Sequence, residues 1–264
     1  MFKISLWILF FIIFSVIFFP FFTQSPYELN SSAILQSPSY WHFFGTDRLG
    51  RDIFARIFEG GQISLIVGFL SSAISSILGL IIGVTAGYFK GKTDFAIVVL
   101  IDLFLTFPTF FLLLALTSYI DATSSILVIV IAFTGWMGTA RMIRSESFAI
   151  SNKPFIKVLR LAKVSVWKII FKYYAPLLAP IFLVSFVFGV GGAILAESGL
   201  SFLGLGINPP QISWGLMLSG GKEVIDIAPW VSFFPGFFIF LVSFCLIQVA
   251  DFLQTKTNPK EAMR

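Results

Sequence analysis

The octet AGYFKGKT, residues 86–93, carries most of a loop that binds nucleotide phosphates. Such a loop reads Gly-x-x-x-x-Gly-Lys-Ser/Thr and holds phosphates on backbone N–H groups and on the lysine. Gly91, Lys92 and Thr93 are in register, but Ala86 replaces the first glycine. A phosphate loop also follows a β-strand, whereas a long apolar stretch precedes this octet. We therefore do not predict nucleotide binding here.

Few other side chains offer recognisable chemistry. His42 is the only histidine and Cys245 the only cysteine, which excludes a His-His zinc motif and an intrachain disulfide. Cys245 lies in an apolar run that indicates a packing role, and His42 is expected in a surface loop. We predict no catalytic residue and no metal site in this chain.

The composition is typical of a protein embedded in lipid. Of the 264 residues, 57% are hydrophobic and 12% are charged, and the mean hydropathy is +0.94. A soluble domain averages about 25% charged residues. The net charge of +5 suits either nucleic acid or a membrane surface as a partner, so the placement of the charges decides between them.

Six stretches are long and apolar enough to cross a bilayer, since a spanning helix needs about 20 apolar residues. They are Ile4–Phe22, Ile63–Tyr88, Phe95–Tyr119, Ile126–Ile143, Tyr174–Leu195 and Trp230–Ala250. The first resembles a signal peptide, but its apolar run is too long and no small-residue cleavage site follows it. We interpret it as a retained transmembrane helix.

Basic residues divide unequally between the two sets of loops that six spans create. One set, with the termini and helix ends, holds 14 of the 18: Lys3, Lys90, Lys92, Arg141, Arg144, Lys153, Lys157, Arg160, Lys163, Lys168, Lys172, Lys256, Lys260 and Arg264. The other set holds Arg48, Arg51, Arg56 and Lys222 beside eight acidic residues: Glu28, Asp47, Asp52, Glu59, Asp121, Glu197, Glu223 and Asp226. By the positive-inside rule, both termini are predicted to be cytoplasmic.

This topology explains the positive charge without a nucleic-acid partner. It also makes the octet a cytoplasmic turn between the second and third spans. In that turn we expect Gly87 and Gly91 to permit a tight reversal, and Lys90 and Lys92 to anchor the inner face.

Two segments between the spans have helical periodicity. In the outer segment 23–62, the apolar residues Leu49, Ile53, Ile57 and Phe58 predict an amphipathic helix on the outer membrane surface, either a loop anchor or part of an outer gate. In the inner segment 151–176, one apolar face is predicted from Phe155, Val158, Leu159, Ala162 and Val166. This basic helix suits acidic headgroups or a groove on a cytoplasmic partner.

Four groups of residues resemble a known family in order and spacing. They are GTDRLGRD (45–52), AGYFKG with Asp94, Asp102 and Pro108, AESGLSFLGLGINPP followed by SWG (196–215), and APW with FPG (228–236). From about Phe43 to Lys260, the chain closely resembles the C-type permease subunit of dipeptide, oligopeptide and nickel ABC importers. The resemblance implies an all-α type I ABC importer permease fold with six transmembrane helices, in the cytoplasmic (inner) membrane of a bacterium.

The resemblance also implies a function and partners. The chain would form, with a homologous second permease, a path for short peptides through the lipid bilayer. Two cytoplasmic ATPase subunits would bind ATP and magnesium, this chain would hold no cofactor, and an extracytoplasmic solute-binding protein would deliver the ligand. The alternative substrate is nickel or another small solute. A stand-alone channel or secondary transporter and a membrane-embedded enzyme are the rivals from other classes.

In that family, the loop between helices 4 and 5 carries Glu-Ala-Ala, three residues and Gly, and forms a coupling helix that docks in a cleft of the ATPase. Aligned through Pro176, these positions are Lys157, Val158, Leu159 and Lys163, and none matches. The docking role is still expected for Pro154, Phe155, Lys157, Val158, Leu159, Ala162 and Lys163. Because Lys163 adds bulk and charge where the family has glycine, we expect that an ATPase from a related transporter would not replace the native one.

The remaining candidates also come from motif positions. Asp102 is interpreted either as a salt-bridge or hydrogen-bond partner or as a residue facing the translocation path. Glu197 has either a structural or an outer-gate role, and Asn208 and Pro209 are further gate or pathway candidates. The outer motif comprises Gly45, Thr46, Asp47, Gly50, Arg51 and Asp52.

The predicted organisation has three parts. Residues 1–62 form the first transmembrane helix and the outer amphipathic segment. Residues 63–255 form a permease core of five transmembrane helices, with a cytoplasmic coupling loop (about 144–172) and an outer loop (about 196–229). Residues 256–264 form a cytoplasmic tail.

Overall fold

The computed structural model describes residues 2–119 and 123–257. In these ranges the chain forms ten α-helices: α1 (Phe2–Phe18), α2 (Ile53–Phe89), α3 (Gly91–Leu105), α4 (Thr109–Thr117), α5 (Ser124–Ser151), α6 (Pro154–Leu161), α7 (Val166–Ile169), α8 (Ala175–Phe202), α9 (Trp214–Lys222) and α10 (Trp230–Thr257). A π-helical turn, Ile170–Tyr174, joins α7 to α8. Asp121, Lys260, Arg264 and the predicted tail after residue 257 lie outside the described residues.

Five helical stretches are long and apolar enough to cross a membrane: Phe2–Phe21, Ile53–Phe89, Ser124–Ser151, Val166–Phe202 and Trp230–Lys256. The predicted span Phe95–Tyr119 is instead a broken pair, because α3 and α4 meet at 75°. Pro108 precedes α4 and explains the break, since proline lacks an N–H and restricts the residue before it. With this bent pair counted as one span, the prediction of six spans is confirmed.

Aromatic contacts show which helix ends lie together. Phe2, at the start of α1, stacks on Phe252 in α10 with ring centroids 3.7 Å apart. Phe19, just after α1, stacks on Phe58 near the start of α2 at 4.8 Å. The start of α1 therefore lies where α2 and α10 end. We call this the inner end, and the opposite end the outer end, after the sides that the basic residues predict.

The longest helix, α2, begins at a side-chain cap. The Asp52 carboxylate accepts a hydrogen bond from the Ala55 N–H at 2.9 Å, which satisfies one of the unpaired donors of the first turn. From there α2 continues for 37 residues. The prediction of a separate surface helix starting at Asp47 is wrong. Ile53 and Ile57 are fully buried in the first turns of α2, because they pack into the core and not onto a membrane surface.

The largest apolar cluster lies where α1, α8, α9 and α10 meet the first turns of α2. Trp214 is fully buried in this cluster. Its indole N–H donates to the Ile57 carbonyl oxygen at 2.8 Å, which satisfies the polar end of a large apolar side chain. At the outer end, the helices therefore form a packed core against which an irregular loop can be held in place.

Close packing of α2 on α5 depends on three glycines spaced four residues apart: Gly79, Gly83 and Gly87. A Cβ at Gly83 would lie 2.7 Å from the Ala140 carbonyl oxygen, and one at Gly87 would lie 2.4 Å from the Ser147 Cβ. Small residues at this spacing let helix backbones approach in membranes, where packing replaces the hydrophobic effect as the driving force. The two helices are thus held as one rigid pair.

The octet 86–93 is the turn between α2 and α3, as predicted, but its glycines have different roles. Gly87 is helical and packs on α5, so it does not make the reversal. The reversal is made by Lys90 and Gly91, both with φ of 56°. The Lys90 ammonium donates to the Asn152 side-chain oxygen at 2.7 Å, which ties this turn to the segment after α5.

We predict that Gly83→Ala destabilises the α2–α5 pair. The added methyl group meets backbone atoms, which cannot move aside as a flexible side chain can, and overpacking of this kind costs about 1–3 kcal/mol. The thermal stability of the detergent-purified protein should fall by several degrees. Gly220→Ala is the control, because a Cβ at that helical position meets no atom within 4 Å. Equal stability of the two variants would contradict the proposed packing.

Candidate functional site

Glu197, a predicted gate residue, is fully buried near the outer end of α8. Its carboxylate accepts hydrogen bonds from the hydroxyls of Ser201 and Ser213, both at 2.7 Å. The hydroxyls of Ser64 and Ser198 donate at 3.3 and 3.5 Å. Burying an unpaired carboxylate is costly, so these donors are what allows it to lie inside the protein. We call Glu197 and the four serines the carboxylate hub.

Three serines of the hub also accept a backbone N–H, and so they position the outer loop. Ser64 on α2 accepts from Trp214, Ser201 on α8 accepts from Ile207, and Ser213 accepts from Leu216 at the start of α9, each at 3.1 Å. The hub therefore joins α2, α8 and the loop 203–213. These contacts favour a structural role for Glu197, in which the carboxylate holds the outer loop in place through the serines.

Glycines let the loop come this close to α8. A Cβ at Gly206 would lie 2.1 Å from the Ser201 hydroxyl oxygen, and a Cβ at Gly215 would lie 2.6 Å from the Ser198 Cα. Asn208 and Pro209, the other two gate candidates, are exposed beyond the hub. Pro209 lines an outer cavity of about 560 Å³ whose lining also includes Asp47 and Arg51 of the outer motif.

The outer motif folds into a compact loop that we call the clasp, residues 45–52. Asp47 is its centre: its carboxylate accepts from the Leu49 and Arg51 N–H groups at 2.9 and 3.0 Å, and from the Arg51 guanidinium at 2.7 Å. Arg56 on α2 lies 3.6 Å from the same carboxylate. The six motif residues are thus brought together, and their contacts hold the loop to the start of α2.

Two glycines of the clasp have a left-handed backbone, with φ of 75° at Gly45 and 70° at Gly50. A Cβ at Gly50 would lie 1.8 Å from the Asn30 carbonyl oxygen, so no other residue fits. Thr46 is fully buried, and its carbonyl oxygen accepts the Trp230 indole N–H at 3.2 Å. The clasp therefore links the loop 23–44, α2 and α10.

His42 lies in a loop, as expected, but its side chain is paired. Its Nδ1 lies 2.8 Å from the Asp52 carboxylate, and both side chains are largely buried. Asp52 thus caps α2 with one oxygen and holds His42 with the other.

Asp102 forms an ion pair with Arg141 on α5. Eight residues earlier on α3, Asp94 forms a second pair with Arg144, with the Nη2 donor 2.7 Å from the carboxylate. The salt bridge, one of the two roles expected for Asp102, is thus present in the structure. The two pairs attach α3 to α5 along the inner half of the molecule.

The inner segment is shorter and more broken than the predicted single helix. It comprises α6, an irregular stretch 162–165, then α7 and the π-helical turn. Pro154 occupies the first turn of α6, where its missing N–H costs nothing. Ile156 is fully buried and Leu159 is half-buried, whereas Phe155, Lys157 and Val158 are exposed. Ala162 and Lys163 follow the helix, and the predicted apolar face is exposed except for the half-buried Leu159.

The end of α6 explains what position 163 requires. Lys163 has a φ of 54°, the Val164 N–H donates to the Leu159 carbonyl at 3.1 Å, and the Lys163 N–H donates to Arg160. This is a left-handed helix stop of the kind that favours glycine. The requirement at position 163 is thus a backbone conformation.

Arg160 holds α6 to the end of α2. Its guanidinium donates to the Tyr88 carbonyl oxygen at 2.9 Å and to the Ser151 hydroxyl at 3.2 Å. The same group lies 4.2 Å from the centre of the Tyr88 ring, within cation–π range. Nearby, desolvation lowers the pKa of Lys90, and repulsion by Arg160 and Lys157 lowers it further.

Comparison with known proteins identifies the relatives of this chain. Residues 79–260 match the model of the family described as binding-protein-dependent transport system inner membrane component. The chain belongs to this family. An oligopeptide transport system permease protein, OppC of Haemophilus influenzae, is 36% identical over 92% of this chain and 78% of its own. A dipeptide transport system permease protein, DppC of Alkalihalophilus pseudofirmus, is 38% identical over 92% of this chain and 81% of its own.

A solved structure shares the fold. The MetNI methionine ABC transporter, in an inward-facing conformation, matches with a TM-score of 0.59 and 15% identity over 78% of this chain and 98% of its own. The fold is that of a type I ABC importer permease. Within its family the chain is a C-type permease, a multi-pass protein of the inner membrane.

Several important residues of this permease were missed in the sequence. Ser198, Ser201 and Ser213 lie in the quoted motif, and the spacing of Glu197 and Ser201 by one helical turn was an available signal. Ser64 is distant in the chain and gave no local signal. Gly79, Gly83 and Gly87 form a repeated Gly-x-x-x-Gly pattern that indicates close helix packing in a membrane. Arg160 was counted only as a basic residue.

We predict that Glu197→Gln destabilises the permease. Three hub serines accept backbone N–H groups, so their own hydroxyl hydrogens point at the carboxylate. In the variant, the glutamine NH₂ group is itself a donor and would meet these hydroxyl donors without an acceptor. Leaving buried donors unpaired costs about 1–3 kcal/mol, which should lower the thermal stability of the purified complex by several degrees. Asp251→Asn removes the same charge at an exposed position and is the control. Unchanged stability of Glu197→Gln would mean that the hub holds a protonated carboxyl group.

A second prediction concerns the helix stop at position 163. Lys163→Gly should stabilise the purified permease by about 1 kcal/mol, because glycine adopts positive φ without steric cost. Lys163→Ala removes the same charge but keeps the Cβ, so it should give no such gain. Thermal unfolding of the three proteins, measured side by side, checks this. Equal gains from both variants would show that charge, and not backbone conformation, limits this position.

Proposed function

We propose that this chain is a permease subunit of an ABC importer for short peptides. With a second, homologous permease it forms the path across the inner membrane. The observation that carries this proposal is the similarity, over 92% of the chain, to proteins named as oligopeptide and dipeptide transport permeases. An extracytoplasmic solute-binding protein delivers the ligand on the outer side.

In this proposal, α6 receives the motion of the ATPase. Its outward side carries Phe155 and Val158, exposed by 42% and 62% at an inner-end element, and these apolar side chains suit a groove in a cytoplasmic subunit. Its inward side is fixed to the permease by Ile156 and by Arg160. A push on α6 is thus passed to the end of α2. ATP and magnesium bind in two separate ATPase subunits, and this chain holds no cofactor.

The proposal is tested with the complete complex in proteoliposomes. Binding protein and a short peptide together should stimulate ATP hydrolysis and drive peptide uptake, and nickel in place of peptide should do neither. This chain reconstituted alone should transport nothing. Stimulation by nickel would favour the alternative substrate, whereas transport by the chain alone would overturn the ABC importer role.

We predict that Val158→Asp uncouples the complex. A carboxylate on the exposed apolar side of α6 must be desolvated when the ATPase docks, which disfavours the contact. Peptide-stimulated ATP hydrolysis should fall at least about 10-fold, the equivalent of 1.4 kcal/mol, while the permease itself keeps its thermal stability. Ser118→Asp adds the same charge at an exposed site on the outer end and should leave hydrolysis unchanged. Normal stimulation in Val158→Asp would remove α6 from the coupling contact.

A further inference from the structure

The ion pair of Asp102 and Arg141 has an unusual environment for a membrane protein. Both residues lie within spanning helices, Asp102 about 16 Å along α3 from Gly91 at 1.5 Å per residue. Their side chains are nevertheless 55% and 57% exposed. Charged side chains facing hydrocarbon are strongly disfavoured, and the short Asp102 cannot reach the membrane surface as a long basic side chain can. The pair must therefore face water or another protein.

The break between α3 and α4 lies beside this pair and leads to the same conclusion. Residues Thr106, Phe107 and Pro108 are outside regular helix, and each is exposed. Irregular backbone at membrane depth is tolerated only where protein buries it or water reaches it. The Thr106 hydroxyl donates to the Asp102 carbonyl oxygen at 2.9 Å, so Asp102, Arg141 and Thr106 form one polar surface beside the exposed apolar side chains of Leu103 and Phe107.

This polar surface continues along the exposed strip of α5. Gly138, Met142 and Ser145 lie on one helical face beside Arg141, and all are exposed. A Cβ at Gly138 would meet no atom within 4 Å. Across the strip, the Ser185 hydroxyl of α8 lies 3.9 Å from the Met142 sulfur. We call this strip, which lies between the contacts to α3 and to α8, the groove.

The exposed side of α1 is apolar, in contrast to this groove, and it indicates which side chains face lipid in this protein. Phe10, Phe14 and Phe18 follow one another along its exposed side, with ring centroids 6.3 and 4.4 Å apart. They are large and apolar, as contact with lipid chains requires. The groove on α5 has one large apolar side chain, Met142, beside the small or polar Gly138, Arg141 and Ser145, and its charged pair cannot face lipid.

We propose that the groove formed by Asp102, Thr106, Gly138, Arg141 and Ser145 is a wall of the water-filled translocation path. The ion pair offers one charge of each sign and so complements a zwitterionic ligand such as a short peptide. Asp102 and Arg141 are the contacts for its charged ends, and the small side chains on α5 leave room for its variable ones. This inference rests on the proposed function for the identity of the ligand, but not for the presence of water in the groove.

Cysteine labelling tests the water-filled groove in the assembled complex. The native Cys245 is fully buried, so the parent chain gives a low background. Gly138→Cys and Ser145→Cys should react with a membrane-impermeant, positively charged methanethiosulfonate reagent about 10-fold or more faster than Phe14→Cys, because only a thiol in water ionises and reacts. Reactivity as low as that of Phe14→Cys would overturn the proposal and would mean that a second permease covers the groove.

The role of the ion pair needs a separate measurement. Saturating peptide with binding protein and ATP should slow labelling of Ser145→Cys several-fold. In an Asp102→Asn, Arg141→Gln background this protection should be lost, while labelling without peptide persists. Full protection in that background would remove the two charges from the ligand contact. Peptide-stimulated ATP hydrolysis is measured in the same preparation and does not depend on labelling. It therefore distinguishes an error in the water-filled groove from an error in the assignment of peptide as the ligand.

Discussion

The buried carboxylate of Glu197 is the constraint on which the outer half of this permease depends. A charge inside an apolar core must be compensated by donors, and here the donors come from α2, from α8 and from the start of α9. These three serines also accept backbone N–H groups, from Ile207 in the loop 203–213 and from Trp214 and Leu216 at the start of α9, so one arrangement pairs the carboxylate and positions the loop. Removing Ser64, Ser201 or Ser213 would take a partner from both the carboxylate and a backbone N–H. The surrounding glycines are needed because the loop approaches α8 at backbone distance.

α2 connects this outer arrangement to the inner end. Ser64 places α2 in the carboxylate hub, and Tyr88, about seven turns further on, receives the guanidinium of Arg160 from α6. Close packing on α5 makes the pair rigid over the intervening length. A rigid pair fixed at both ends moves as a body and does not bend, which is how small shifts at one site become changes at another. The break between α3 and α4 is the irregular point beside this pair, and so the place where motion of the helices can be absorbed.

The sequence predicted what depends on composition and local periodicity. Apolar length located every span, and Pro108 was visible before the break that it causes. Periodicity misled where the core was distant in the chain: Ile53 and Ile57 have the spacing of a surface helix, but α9 and α10 bury them. The partners of Glu197 were equally inaccessible, because Ser64 lies 133 residues away and nothing local marks it. Motif matching located the clasp, but its purpose appears only when Asp47 is seen to hold the loop to α2.

Position 163 shows how a motif can be lost while its geometry is kept. The family has glycine there, and the backbone of this chain still adopts the left-handed turn that glycine would favour. Lysine tolerates this conformation at a modest steric cost, so loss of the glycine does not imply loss of the coupling element. What differs is the surface: Lys157 and Lys163 place positive charge on either side of the exposed Val158. A groove that receives this surface must present acidic or neutral groups at its rim, because like charges brought together during docking are strongly unfavourable. In the proposed coupling, the positive charge beside Val158, and not the shape of the turn at position 163, would therefore select the ATPase.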